Sequence, residues 1–173
     1  MVTFFSTPLS FYKVVKYDFI DAGGEYNSYF FKTESGIIYE VKFKEFFYLF
    51  KENYDSYEFA IEVANNPIIG RPPLDYRLPI TIAAIFTDFF DKIEQPSVVY
   101  ICDSSDSKQL ARQRKFNSWF YEFKQPNFFK IEGKLVDKNG EVIPSSLILK
   151  SSNPYFSQII EEFRKIVEGY NVK

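Results

Sequence analysis

Hydrophobic and polar positions alternate with a period of two through much of the first 64 residues. Ile37, Tyr39, Val41 and Phe43 interleave with Ile38, Glu40, Lys42 and Lys44, the pattern of a strand with one solvated face. Tyr57, Phe59, Ile61 and Val63 interleave with Glu58, Ala60 and Glu62 in the same way. Earlier, Tyr17–Ile20 and Tyr26–Thr33 read as strands joined by a turn at Asp21-Ala22-Gly23-Gly24. Four antiparallel strands are therefore expected before any helix.

The period then lengthens. Leu78, Ile82, Ile85, Phe86, Phe89 and Ile93 form one stripe, with Thr81, Asp88, Asp91 and Lys92 opposite. This predicts a helix over 79–94, opened by Pro79, whose missing N–H costs nothing in a first turn. Val98–Cys102 is a short apolar run typical of an interior strand. A helix over 107–123 should follow, with Phe116, Trp119, Phe120 and Phe123 as its buried stripe. The runs 128–136 and 142–149 flank Asn139-Gly140, a strong hairpin signal. Asn153 and Pro154 open a last helix with Phe156, Ile159, Ile160, Phe163, Ile166 and Val167 inside. The expected fold is α+β, a mixed and mainly antiparallel sheet with three helices, in the order ββββ-α-β-α-ββ-α. A Phe-rich arm over 1–15, able to form an edge strand or dock on a partner, precedes a single domain over 16–173.

Composition narrows the chemistry. The 173 residues include no histidine and one cysteine, with a net charge of −2. His-based general bases, Ser-His or Cys-His nucleophiles, multi-Cys metal sites and an internal disulfide are thereby excluded. No metal or other cofactor is expected. Aromatics make up 20% of the chain, with 21 Phe and 13 Tyr, enough to stock an exposed binding surface as well as a core. Neither a signal peptide nor an apolar window long enough for a membrane span is read in the sequence, so a cytoplasmic location is the expectation.

Candidate chemistry gathers in two loops. Strand 57–64, helix 79–94 and strand 98–102 form a βαβ unit, and parallel strands would send loops 65–77 and 103–107 out at one edge of the sheet. The first, within NNPIIGRPPLDYRLP, brings Asp75, Tyr76 and Arg77; the second brings Asp103, Ser104, Ser105 and Asp106. The second loop opens a helix whose free N–H groups suit an anion, unless its own aspartates cap it. Arg112 lies one turn before Phe116, on the apolar side, and needs a carboxylate such as Asp75, Asp103 or Asp106. Asp75, Arg77, Asp103, Asp106 and Arg112 thus form the candidate ion-pair or ligand cluster. Cys102 ends an interior strand and reads as an inert thiol. Lys108, Arg112, Arg114 and Lys115 form a basic run, but they do not share one helix face, which disfavours a nucleic-acid surface.

Two resemblances follow from these residues. The motif YICDSSDSKQLARQRKFNSWF, with DYRLPITIAAIFTDFF upstream, resembles a small bacterial family of unknown function over most of residues 17–123, and brings no activity with it. The element order is similar to the core of the GNAT acyltransferases. That resemblance would imply an acyl-CoA or nucleotide cleft beyond strands 57–64 and 98–102. The family's Arg/Gln-x-x-Gly-x-Gly/Ala pyrophosphate loop would fall on GRPPLDYRLPIT, which lacks the glycine pair. Its tyrosine acid would fall near Phe116, with Tyr121 the nearest hydroxyl. Three functions remain in play: a non-catalytic accessory module for a protein partner or a second copy, a divergent acyltransferase, and nucleic-acid binding through helix 107–123.

Overall fold

The computed structural model describes residues 15–47, 49–50, 54–70, 72–102, 106–136 and 139–169. Seven strands, β1 (Phe19–Gly23), β2 (Ser28–Lys32), β3 (Ile38–Glu45), β4 (Ser56–Asn65), β5 (Ser97–Ile101), β6 (Phe128–Val136) and β7 (Val142–Lys150), build one sheet. Its order is β1-β2-β3-β4-β5-β7-β6. Every neighbouring pair is antiparallel except β4 and β5, which are parallel. Helix α1 (Arg77–Lys92) makes the crossover between those two strands, α2 (Gln109–Phe123) links β5 to β6, and α3 (Phe156–Gly169) follows β7. The architecture is the α+β fold the periodicities predict.

The two faces of the sheet carry different chemistry. On one, alternate residues of β2–β5 present Tyr29, Phe31, Val41, Phe43, Phe59 and Val98 to α1 and to Phe116 of α2. Phe43 is central, stacked on Phe89 at 3.8 Å between centroids and flanked by Phe86 and Phe59. On the other face, Val99, Leu147 and Leu149 meet Ile159, Ile160, Phe163 and Val167 of α3. That helix lies so close to β6 that a methyl group on Gly133 would sit 2.5 Å from Val167 Cγ1. Only the missing side chain permits the approach.

Several local expectations shift. The first turn falls at residues 24–27, because Asp21–Gly23 stay in β1 around a bulge. The Asp21 carboxylate accepts the Gly23 N–H there, and Gly23, Gly24 and Asn27 adopt positive φ. Helix α1 starts at Arg77, so Pro79 is its third residue. Thr81, expected opposite the buried stripe, is itself fully buried. It accepts the Tyr17 N–H and donates to the Arg77 carbonyl, which satisfies a hydroxyl inside the core. In α2 only Phe116 is buried, whereas Trp119, Phe120 and Phe123 are half-buried. The anticipated stripe is a single residue deep because the strand beneath this helix is polar. Residues 1–14 of the expected arm lie outside the described residues.

A cleft between the entry of α1 and the flank of α2

Asp75 organises the start of α1. Its Oδ1 accepts the N–H groups of Arg77 (2.9 Å) and Leu78 (3.3 Å), and its Oδ2 accepts the Tyr17 hydroxyl at 3.1 Å. This fills the anion seat that a helix N-terminus offers. Arg77 turns away from the helix axis. Its guanidinium lies 4.0 Å over the Tyr17 ring and donates to the carbonyls of Val15 (2.6 Å) and Lys16 (3.2 Å), while pairing with Glu34. Asp75 and Arg77 together strap the chain at residues 15–17 onto α1.

Asp106 does the corresponding work before α2. It accepts the Lys108 N–H at 3.2 Å, and both its oxygens receive Arg112, at 2.6 and 2.8 Å. The forked guanidinium holds the Asp106 carboxyl at about 2, well below its ordinary 3.8. Of the partners open to Arg112, then, Asp106 is engaged and Asp75 is committed to α1 and Tyr17. The candidate cluster resolves into two pairs, one at each helix entry. Asp103, with Ser104 and Ser105, lies outside the described residues.

The end of the parallel pair is closed by aromatic rings. β4 and β5 are in register from Ser56–Ser97 to Phe59–Tyr100, after which β4 runs on to Asn65 while β5 ends at Ile101. Where the strands part, Phe116 sits 4.3 Å from Tyr100 and 5.7 Å from Phe59, ring to ring. Cys102 is also buried here. Burial pushes its thiol above the ordinary value, against the opposing pull of the Tyr100 hydroxyl and the Arg112 charge. A thiol kept protonated in this way is a poor nucleophile.

Open space lies beside these rings. A cleft of about 990 Å³ is bounded by Thr33, Ile37 and Tyr39 at the β2–β3 connection, by the loop Pro72–Tyr76, and by Lys115, Trp119, Glu122 and Phe123 of α2. This is at the upper end of ligand-pocket sizes, roughly 300–1,000 Å³. Its walls combine aromatic, proline and aliphatic side chains with polar ones, including carboxylates at Asp75 and Glu122; Lys115 lies 4.8 Å over the Trp119 ring. Pro72–Tyr76 belong to the first of the two candidate loops, and neither β4 nor β5 is among the described residues that line the cleft. Behind Trp119, an apolar hollow of about 50 Å³ runs between α1 and α2, lined by Ile82, Phe86, Phe116 and Phe120.

Under the opposite flank of α2 is a polar cluster that alternation alone would have sent to solvent. Lys130, on β6, has a fully buried side chain whose ammonium donates to Asn117 and to Glu132 at 2.9 Å. Asn117 also donates to Glu132 at 2.8 Å. Lys130 holds the Glu132 carboxyl below its usual range, against the cost of its burial. The polar residues Gln113 and Asn117 of α2 were the available signal, since they fall on the side of the helix away from Trp119.

The model of a family described as a family of unknown function (DUF6169) matches residues 74–165, more than half of the 173. The chain belongs to that family. The DUF6169 region begins at Leu74 in the cleft wall and continues through α1, β5, α2 and the β6–β7 hairpin into α3. It therefore includes both helix entries and the α2 wall, and leaves out β1–β4. The span differs from the 17–123 expected of the motif: it starts at the proline loop and reaches the last helix. No curated protein and no solved structure matches the chain. Among the described residues, no helix is long and apolar enough to cross a membrane, and no group of three or more His, Cys, Asp or Glu residues gathers as for a metal.

Proposed function

We propose that this DUF6169 member is a non-catalytic binding module that receives an extended, apolar protein segment in the cleft between Pro72–Tyr76 and α2. The observation that carries the reading is the lining: Trp119, Tyr39, Tyr76, Phe123 and Leu74 converge on one cavity of about 990 Å³. Rigid aromatic surfaces lose little conformational entropy on binding and anchor protein interfaces. Tyr76 and Leu74 remain 70% and 77% exposed, so the wall is accessible. The role we envisage is that of a bacterial, cytoplasmic accessory protein acting on a protein partner, or on another copy of itself, without a cofactor.

A second reading is a divergent GNAT-like acyltransferase. The strand order and the parallel β4–β5 pair favour it. Four features weigh against it. The Asp75 carboxylate occupies the α1 entry, where a pyrophosphate would bind. Pro72, Pro73 and Pro79 lack N–H donors. Phe116 packs over Phe59 and Tyr100, the last paired residues of the parallel strands. Tyr121 is exposed against Phe120 rather than in the cleft. Nucleic-acid binding has less support, since Arg112 is forked on Asp106 and Lys115 covers Trp119.

The test is a comparison of ligands. Aromatic- and proline-containing peptides should change the emission of Trp119, the sole tryptophan, and the response should saturate. Acetyl-CoA, longer acyl-CoAs and nucleotides should leave the melting temperature unmoved. A ligand that binds only the native state must raise it, so stabilisation by an acyl-CoA would replace this reading with the acyltransferase one.

A further inference from the structure

The loop wall and the helix wall of the cleft each carry a carboxylate, Asp75 on Pro72–Tyr76 and Glu122 on α2. Burial first, and then the Asp75 charge, push the Tyr39 hydroxyl above its ordinary value, so the field of that carboxylate reaches the aromatic lining. Glu122 is exposed, and among the described residues no ion pair engages it. Against these two stands Lys115, the single cation among the described lining residues, which leaves the cleft with one negative charge in excess. Lys115 is itself instructive. Its ammonium lies 4.8 Å over the Trp119 ring, which marks that face as one presented to a cation. The contact is made by an exposed side chain on a flexible stem, and cation–π contacts at exposed sites are weak. An incoming cation can therefore take the ring while Lys115 turns to water. A guanidinium is better suited to this than an ammonium, since it stacks on an aromatic face and forks onto a carboxylate.

We infer that the segment received by the cleft carries a basic side chain, arginine above lysine, which replaces Lys115 on Trp119 and pairs with Glu122. Asp75 keeps its bonds to α1 and Tyr17 and acts through its charge alone. The inference rests on the cleft being a seat for extended apolar segments. It adds the charge of the segment, because an acidic residue at the same place would meet both carboxylates.

Three end-blocked peptides test this, alike in their proline and tyrosine residues and differing only in arginine, norleucine or glutamate at one central position. Each is titrated against the Trp119 emission of the full chain. At low salt the arginine peptide should bind about tenfold more tightly than the norleucine one, the factor that an exposed cation–π contact and one surface ion pair together supply. The glutamate peptide should bind least, and added salt should narrow the arginine preference. Glu122→Gln should remove most of that preference and leave the norleucine peptide unaffected. Lys115→Gln should strengthen arginine binding by clearing the ring. Lys134→Gln, the same charge change at an exposed position of β6, should not. All three substitutions fall on exposed side chains, so the fold is not at stake. Equal affinities for the three peptides, a preference undiminished by Glu122→Gln, or tightest binding of the glutamate peptide would each overturn the basic-segment assignment and leave the apolar seat standing. If no peptide moves Trp119, both readings fall.

Discussion

Helices α1 and α2 are 16 and 15 residues long, lie on the same face of the sheet and touch each other, yet they serve opposite ends. Helix α1 buries seven side chains, from Leu78 to Phe90, in the aromatic core. Helix α2 buries only Phe116. Its other aromatics are divided between a cleft on one flank and a lysine-centred polar cluster on the other. A helix that is all core must fit closely, because interiors pack like crystals. A helix held by one aromatic wedge and a few hydrogen bonds leaves side chains such as Trp119 and Phe123 available for a ligand. The difference separates where this molecule keeps its stability from where it keeps its binding surface.

The largest test of that contrast is Phe89→Ala. Phe89 stacks on Phe43, meets Tyr57 edge-on and is 1% exposed. Truncation should cost about 3–5 kcal/mol in urea unfolding, the usual range for a buried aromatic. A loss as small from Phe89 as from Trp119 would break the comparison. On the α2 side, Lys130→Ala should cost about 2 kcal/mol, since it leaves the Asn117 amide oxygen without its donor and takes the charged donor from Glu132. Lys130→Met should recover part of that loss. The methionine keeps a long apolar stem near the Phe120 and Tyr121 rings, and the partly exposed Glu132 can turn to water.

The asymmetry was only half legible in the sequence. The stripe of α1 announced itself through Leu78, Ile82, Ile85, Phe86 and Phe89, and the alternation in β3 and β4 predicted the face those residues would meet. For α2 the same reasoning gave Phe116 correctly and then went too deep, because a wheel records which residues share a side and not what stands opposite. Phe128, Lys130, Glu132 and Lys134 alternate with Phe129, Ile131, Gly133 and Leu135. Alternation cannot tell which set a helix will cover. The aliphatic set met α3, so the charged set came to lie under α2, and a polar floor draws Gln113 and Asn117 rather than aromatics. The wheel puts Arg112 on the apolar side and in need of a carboxylate; Asp106 six residues earlier pairs with it, but both side chains stay more than a third exposed, so the pair sits at the surface rather than inside. The cleft needed tertiary information. Tyr39, Leu74 and Trp119 are far apart in the chain, and only the topology makes them neighbours.

A smaller effect sharpens the same point. Trp119→Ala should cost about 1 kcal/mol, near the centre of the distribution for point substitutions, because the ring is half in water. It should nonetheless abolish the peptide response, which in that variant would be followed by calorimetry. The combination of a modest stability cost and a complete binding loss is the signature of a residue spent on the cleft. Phe89→Ala should give the reverse, a large loss of stability with peptide affinity retained in whatever fraction stays folded.

The smallest effect concerns how α2 begins. The Asp106 carboxyl has its pKa lowered from 3.8 to about 2 by Arg112. A carboxyl whose pKa is lower in the folded state stabilises the fold above its unfolded value, and loses that contribution as pH falls through the folded one. The Asp106–Arg112 fork should therefore contribute fully above about pH 4 and fade towards pH 2. Its worth is modest because both partners are well solvated. Asp106→Asn removes the titration without removing the side chain's capacity to accept the Lys108 N–H. Between pH 4 and pH 2 the unaltered chain should lose more stability than the asparagine variant, so that their denaturation midpoints converge. Parallel curves would mean that the fork adds nothing to stability. Helix α2 would then be held by Phe116 and the Lys130 cluster alone, a still looser attachment than the contrast with α1 already implies.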